Sequence, residues 1–434
     1  MALLSYRSKP HSGGQGVYVR NLSRALADLG HQVEVISGPP YPELEDGVAL
    51  TRVESLDLYR EPDPFRLPHW RELRDGVDLL ELGTMWTGGF PEPLTFSLRA
   101  ARLLVREGHR FDVVHDNQSL GYGLLALLRR GTPLVATIHH PITVDLRLEL
   151  EAAPSRLRRL ALRRWYGFHR MQARVARRIA PLLTVSAASA ADIVRDFGVR
   201  PDALRIVGAG VDATVFRPRA EPRVPGRIVA VSSSDSPLKG LLVLVEAVAR
   251  LRALPGLELI VAGRPAPNGP VARAVADRGL GGTVRFVDGL SDEALARLLA
   301  SAEAAVVPSL YEGFSLPAIE AMACSTPLVA TRAGALPEVV GTDGSCASLV
   351  APGDPCGLAA AIAALLRDPG RRSRMGEAGR ARVLCRYAWE AVARETAGCY
   401  EEAIAFTAPP GRRRSSTAVP RPLPLPVAEE GTTC

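Results

Sequence analysis

Residues 308–323 read PSLYEGFSLPAIEAMA, and this stretch decides the fold. Glu312 and Glu320 are separated by seven residues, with Gly313, Phe314, Ser315, Leu316 and Pro317 between them. Gly313 lets backbone approach a ligand closely. Pro317 suits a first helical turn, where its missing N–H costs nothing. The spacing predicts a turn feeding a helix over 317–323, whose free N–H groups and positive dipole end form an anion site. A carboxylate on each side is awkward for a bare anion. The ligand must therefore also offer hydroxyl groups, as a sugar on a diphosphate does. The preceding apolar run, 304–307, predicts a strand, which puts the turn at a strand's carboxyl end, where open α/β sheets bind ligands.

Working outward from that turn, residues 228–350 alternate regularly. Strands are predicted at 228–231, 257–262, 284–287, 304–307, 328–330 and 348–350, with helices at 240–254, 269–278 and 292–300. Helices at 357–366, 371–386 and 389–406 follow. The first half alternates too, with strands at 2–6, 32–37, 112–115, 134–138, 182–185 and 204–207. Such alternation predicts parallel sheets covered by helices on both faces. A loop with Gly13, Gly14 and Gly16 joins the first strand to a helix over 17–29, the arrangement that cradles phosphates. Residues 39–93 look like a variable insertion with one strand near 50–53. Prolines and charges after Gly208-Ala-Gly-Val-Asp212 mark a linker.

Glu-Gly-Phe-Ser-Leu-Pro-Ala-Ile-Glu-Ala-Met-Ala closely resembles the E-x7-E signature of retaining glycosyltransferases, in particular glycosyltransferase family 4. The match continues through Pro327, Val329 and Gly334–Glu338, and the G-V-D…F passage near 210–216 also fits. The resemblance implies a GT-B fold: two Rossmann-like, doubly wound parallel-sheet domains facing across a cleft. The expected boundaries are 1–210 for the acceptor-side domain and 218–388 for the nucleotide-sugar donor domain. Residues 389–407 would cross back as a helix, and 408–434 would form a disordered tail.

The same resemblance assigns roles. Glu312 holds hydroxyls of the transferred sugar and Glu320 those of the ribose. Backbone at Gly313, Phe314, Ser315 and Leu316 meets the sugar or phosphate, and the base lies against backbone near Arg285–Asp288, Val287 included. Lys239, in Pro237-Leu-Lys-Gly240, neutralises the diphosphate as the glycosidic bond breaks. His139, in Thr137-Ile-His139, stands beside the donor sugar. Gly13 and Gly14 approach the diphosphate and acceptor, and His115 belongs to the acceptor side. The family's arginine five residues before the lysine is replaced by Ser234, and Arg264 is the expected substitute cation. The implied course is retention by front-face attack, with no metal and no cofactor beyond the nucleotide-sugar substrate. The acceptor would be a lipid, a small molecule or a glycan, in cell-envelope glycan or glycolipid synthesis. Gly13-Gly14-Gln15 also occurs in sucrose-synthase-like enzymes, which keeps a free-sugar acceptor open. A non-catalytic nucleotide-sugar binder is the alternative that the missing arginine supports.

Composition agrees with a soluble globular chain: of 434 residues, 47% are hydrophobic and 23% charged. No basic start leads into a long apolar run, no segment approaches the ~20 apolar residues of a spanning helix, and the six cysteines form no C-x-x-C pair. A cytoplasmic location is expected. The net charge of +7 favours an anionic partner. Residues 155–179 are predicted to form one helix. Leu157, Leu160, Ala161, Trp165, Phe168, Met171, Val175 and Ile179 fall on one stripe, and Arg156, Arg159, Arg163, Arg170, Arg174 and Arg177 on another. A core helix with a solvated basic face, an anionic membrane surface held along residues 156–178, and a nucleic-acid surface are the three readings of that stripe. No recognisable nucleic-acid module accompanies it, so no nucleic acid is expected as a partner.

Overall fold

The computed structural model describes residues 1–8, 14–60, 63–107, 110–232 and 236–407. The described chain divides into two compact units, 1–207 together with 392–407, and Gly208–Ala391.

The first unit is built on seven parallel strands in the order β3-β2-β1-β4-β5-β6-β7. They are β1 (Ala2–Ser5), β2 (Glu34–Ser37), β3 (Ala49–Arg52), β4 (Val114–Asn117), β5 (Leu134–Ile138), β6 (Leu182–Thr184) and β7 (Leu204–Ile206). The second unit has six, ordered β10-β9-β8-β11-β12-β13. These are β8 (Val224–Val231), β9 (Glu258–Ala262), β10 (Val284–Val287), β11 (Ala302–Val307), β12 (Leu328–Thr331) and β13 (Ala347–Val350). Each sheet runs outward from its first strand in both directions, so strand order reverses between β1 and β4, and again between β8 and β11. These are the switch points at which doubly wound sheets open a crevice. Central strands such as Leu134–Ile138 are buried on both faces, which explains why they are apolar nearly throughout, Thr137 being the exception in this one. In the second unit Ile228, Val261 and Val306 meet Leu244 and Val248 of helix Leu241–Arg250 and Leu358 and Ile362 of helix Pro355–Arg367 in one core.

Three expectations need correction. The single helix over 155–179 is two, Arg156–Trp165 and His169–Ala176, separated by a tight turn at Tyr166–Phe168. Gly167 weakens the helix there. Trp165 turns into an aromatic cluster, 5.3 Å from Phe90 and 5.7 Å from Tyr59, and Phe168 lies 5.5 Å from Phe90. The stripe therefore fails at its start: Leu157 is 81% exposed and Leu160 65%, whereas Met171, Val175 and Ile179 are buried. The segment 39–93 is not a plain insertion. It holds helix Gly76–Trp86, capped by Asp75, whose Asp78 and Glu81 pair with Arg99 of helix Glu92–Arg106. Finally, β8 begins at Val224, inside the proline-rich stretch taken as linker.

The last helix, Trp389–Thr407, joins the first unit from Val392 onward. There Glu402 pairs with Arg205 at 2.5 Å. Residues 408–434 lie outside the described residues.

Candidate active site

The loops leaving β8 and β11, the two strands flanking the second switch point, lock together. Leu310 N–H donates to Leu238 O at 2.7 Å. Gly240 sits at φ +65°, and a Cβ there would meet Pro308 O at 2.0 Å, so only glycine permits the approach. This contact brings Lys239 and Glu312 together. Lys239 Nζ donates to Glu312 Oε1 at 2.9 Å, and Ser309 Oγ donates to the same oxygen at 2.7 Å. Thr331 Oγ1 in turn holds Ser309 O at 2.5 Å. From the other side Ala335 N–H donates to Glu312 O at 2.9 Å. Gly334 lies at φ +54°, and its missing Cβ leaves room for Glu312 O, which it would otherwise meet at 2.1 Å. The matched turn at Gly334–Glu338 is thus a backbone brace for Glu312.

Beyond Glu312 the chain turns through Gly313 and Phe314 into helix Leu316–Ala323, with Pro317 in its first turn. Phe314 is buried edge-on against Tyr387, with ring centroids 5.5 Å apart, which anchors the turn. Ser315 occupies the cap position at φ +102°, ψ +83° and makes no capping hydrogen bond. Glu320, half-buried on the helix, takes no part in the Lys239–Glu312 cluster. Burial, then repulsion from Asp292, raises its carboxyl pKa to about 8.

The other expected donor residues stand apart from that cluster. Arg264, after β9, is 78% exposed and lies 3.5 Å from Asp288 Oδ2. Its proposed counterpart position, Ser234, lies outside the described residues. The Arg285 guanidinium pairs with Glu258, at the amino end of β9, at 3.4 Å, so any contact of a base with this stretch falls to its backbone, as expected from the sequence. Val287 O is taken by Gly263 N–H at 2.6 Å.

In the first unit His139 follows β5, half-buried, with Nε2 2.8 Å from Asn117 Oδ1. Its backbone N–H donates to Gln118 Oε1 at 2.8 Å, and Tyr18 packs edge-on at 4.6 Å. Burial lowers its pKa to about 3, so the imidazole is neutral. His115 departs from its expected place on the acceptor side. It is fully buried, with Nδ1 2.7 Å from Tyr400 Oη and Nε2 2.7 Å from Thr137 Oγ1. Both nitrogens are spent on the fold, and burial lowers its pKa to about 3. His115 joins β4 to the last helix and offers nothing to an acceptor. Gly14 opens helix Gly14–Asp28, earlier than expected, and Gly13 lies outside the described residues.

Sequence reasoning missed Ser309, Thr331 and Asn117. Strand-end position was the available signal, since Asn117 closes β4 and Thr331 closes β12. Among the described residues no group of three or more His, Cys, Asp or Glu side chains could hold a metal ion.

Two doubly wound parallel-sheet units, with a braced lysine–glutamate pair at the second switch point, define a GT-B-type glycosyltransferase. The family described as Glycosyltransferase Family 4 matches residues 12–215, and Glycosyl transferases group 1 matches residues 214–382. The MMP alpha-(1->4)-mannosyltransferase of Mycolicibacterium hassiacum is 58% identical over 409 residues, covering 94% of this chain and 99% of the relative. A D-inositol 3-phosphate glycosyltransferase of Catenulispora acidiphila is 31% identical, covering 93% and 95% of the two chains. Among solved structures, sucrose-phosphate synthase from Thermosynechococcus elongatus superposes with a TM-score of 0.70 at 24% identity, covering 93% of this chain and 99% of the other. Anabaena HepE in complex with UDP gives 0.66 at 18%, covering 93% and 100%, a likeness of fold alone. The chain belongs to glycosyltransferase family 4 and is a glycosyltransferase that uses a nucleotide sugar.

Proposed function

We propose that this enzyme transfers mannose from a nucleoside-diphosphate mannose to the 4-hydroxyl of a mannose-containing glycan, with the α configuration retained and without a metal ion. The donor and bond follow the relative that is 58% identical over nearly its full length. The observation that carries the chemistry is the Lys239–Glu312 pair at the β8/β11 switch point.

Lys239 turns from Glu312 to the donor's diphosphate and neutralises the charge that grows there as the glycosidic bond breaks. Glu312, freed from Lys239 but still held by Ser309, accepts hydrogen bonds from hydroxyls of the sugar. Glu320 meets the ribose, and the amino end of helix Leu316–Ala323 faces the phosphate. The departing phosphate takes the acceptor's proton on the face it leaves, so an α donor gives an α product. A double displacement between two carboxylates is not called for, because Glu312 holds sugar hydroxyls and Glu320 the ribose, so the two need not flank the bond.

Incubating the enzyme with uridine, guanosine and adenosine diphosphate sugars, mannose oligosaccharides and a chelator tests this reading. Mannosylated product in the presence of chelator supports it. Transfer of another hexose only, or turnover abolished by chelation, contradicts it.

Helix Arg156–Trp165 favours a second partner. It carries five arginines and no acid, and exposes Leu157 and Leu160 beside them. Cations around exposed leucines suit an anionic lipid surface, with the leucines entering the headgroup layer. No helix among the described residues is long and apolar enough to cross a membrane.

A further inference from the structure

The strongest local anomaly in the donor unit is Ser315. Its backbone stands at φ +102°, ψ +83°, a region that non-glycine residues enter only under strain. Serine at a helix N-cap ordinarily accepts from an N–H of the first turn. Ser315 makes no such bond, because its left-handed backbone is not the extended one that capping needs. The residue is 4% exposed, and its Oγ is buried with no hydrogen-bond partner among the described residues. Glycine here would relieve the backbone and remove the orphaned hydroxyl together. Every local term therefore opposes serine, and strain of this kind gathers at ligand sites.

We propose that Ser315 Oγ hydrogen-bonds a hydroxyl of the transferred sugar and is a specificity-determining residue of the donor site, an inference that rests on the donor reading above. The chemistry favours the sugar over the diphosphate. Phosphate oxygens only accept, and Lys239 with the helix N–H groups already supplies donors. A sugar hydroxyl both donates and accepts, as serine does. Glu312, three residues earlier, is the other acceptor for such a ligand. Sheltered from bulk water, Ser315 Oγ keeps its hydrogen-bonding capacity for a group that enters the turn.

The test compares wild type with Ser315→Gly on nucleoside-diphosphate mannose and its 2-, 3-, 4- and 6-deoxy analogues. Wild type should lose roughly 10- to 100-fold in kcat/KM on one analogue. Ser315→Gly should lose a similar factor on the parent donor, show no further loss on that same analogue, bind the nucleoside diphosphate alone as wild type does, and unfold about 2–4 °C higher. Ser315→Ala, which keeps the Cβ and drops the hydroxyl, should repeat the kinetic change with a smaller gain in Tm. An unchanged deoxy profile in both variants, as expected of a hydroxyl serving only the fold, overturns the contact. Loss of nucleoside diphosphate binding in Ser315→Gly also overturns it. Failure of wild type to transfer mannose from any nucleotide donor would remove the donor reading itself, whereas an unchanged profile sinks only the Ser315 contact.

Discussion

Lys239 Nζ and Glu312 Oε1 lie 2.9 Å apart, although the two residues are 73 positions apart in the chain. Only the adjacency of β8 and β11 makes this pair, and the Gly240 and Leu310 contacts fix its register. If the pair grips the donor, Lys239→Ala and Glu312→Ala should each lower kcat by about 100-fold or more, the scale of removing one preorganised charge or donor. Steady-state kinetics on the mannose donor check this. Near-wild-type turnover in both variants removes the pair from the mechanism.

Arg264 carries the second prediction. Its side chain is mostly exposed beside Asp288, so little of the fold depends on it. Arg264→Ala should leave Tm within about 1 °C of wild type, as surface substitutions usually do. If Arg264 supplies a cation to the diphosphate, donor KM should rise several-fold. Unchanged donor KM and kcat would end that role.

His115 predicts a pH effect on stability. Its folded pKa is lowered to about 3, below the ordinary histidine value. Between those values the unfolded chain binds a proton that the folded chain does not, so stability falls as pH drops below about 6.5. Glu320 and Glu92, whose carboxyl pKa values burial raises to about 8, act in the opposite sense over this range, so the His115 contribution is read as a difference: from pH 7.5 to 5 the Tm of wild type should fall relative to that of His115→Gln. Parallel curves would refute the assignment.

The exposed face of helix Arg156–Trp165 gives the fourth. Leu157→Ser with Leu160→Ser should leave Tm and turnover on a soluble acceptor unchanged, because both side chains are solvent-exposed. Flotation with vesicles containing phosphatidylserine should be lost in this variant and in wild type at high salt. Absence of wild-type flotation would reject the lipid surface.

The second unit was largely legible from the sequence, and the reason is physical. Its strands are short apolar runs separated by helices of ordinary length, and one local stretch, 308–323, carries the turn, the proline and both glutamates. What the sequence hid were contacts between distant segments. Ser309 holds Glu312 and Thr331 holds Ser309 from the ends of two different strands, and strand-end position alone does not reveal that they meet. His115 looked like Asn117 and His139, all at or near strand ends, until Tyr400 from the last helix closed over it. The stripe of 155–179 has helical periodicity throughout. Gly167 and the aromatic cluster at Trp165 outweighed that periodicity and left Leu157 and Leu160 outside the core. Helix Gly76–Trp86 was hidden because its buried side carries Asp78 and Glu81, whose burial depends on Arg99.

The most direct test of the central claim is the anomeric configuration and linkage of the product, read by NMR after transfer from a nucleoside-diphosphate α-mannose to a mannose oligosaccharide. The account predicts a new mannose in an α-(1→4) bond, formed by wild type and lost with Glu312→Ala. A β-linked product, or a sugar other than mannose as the one transferred, would contradict it.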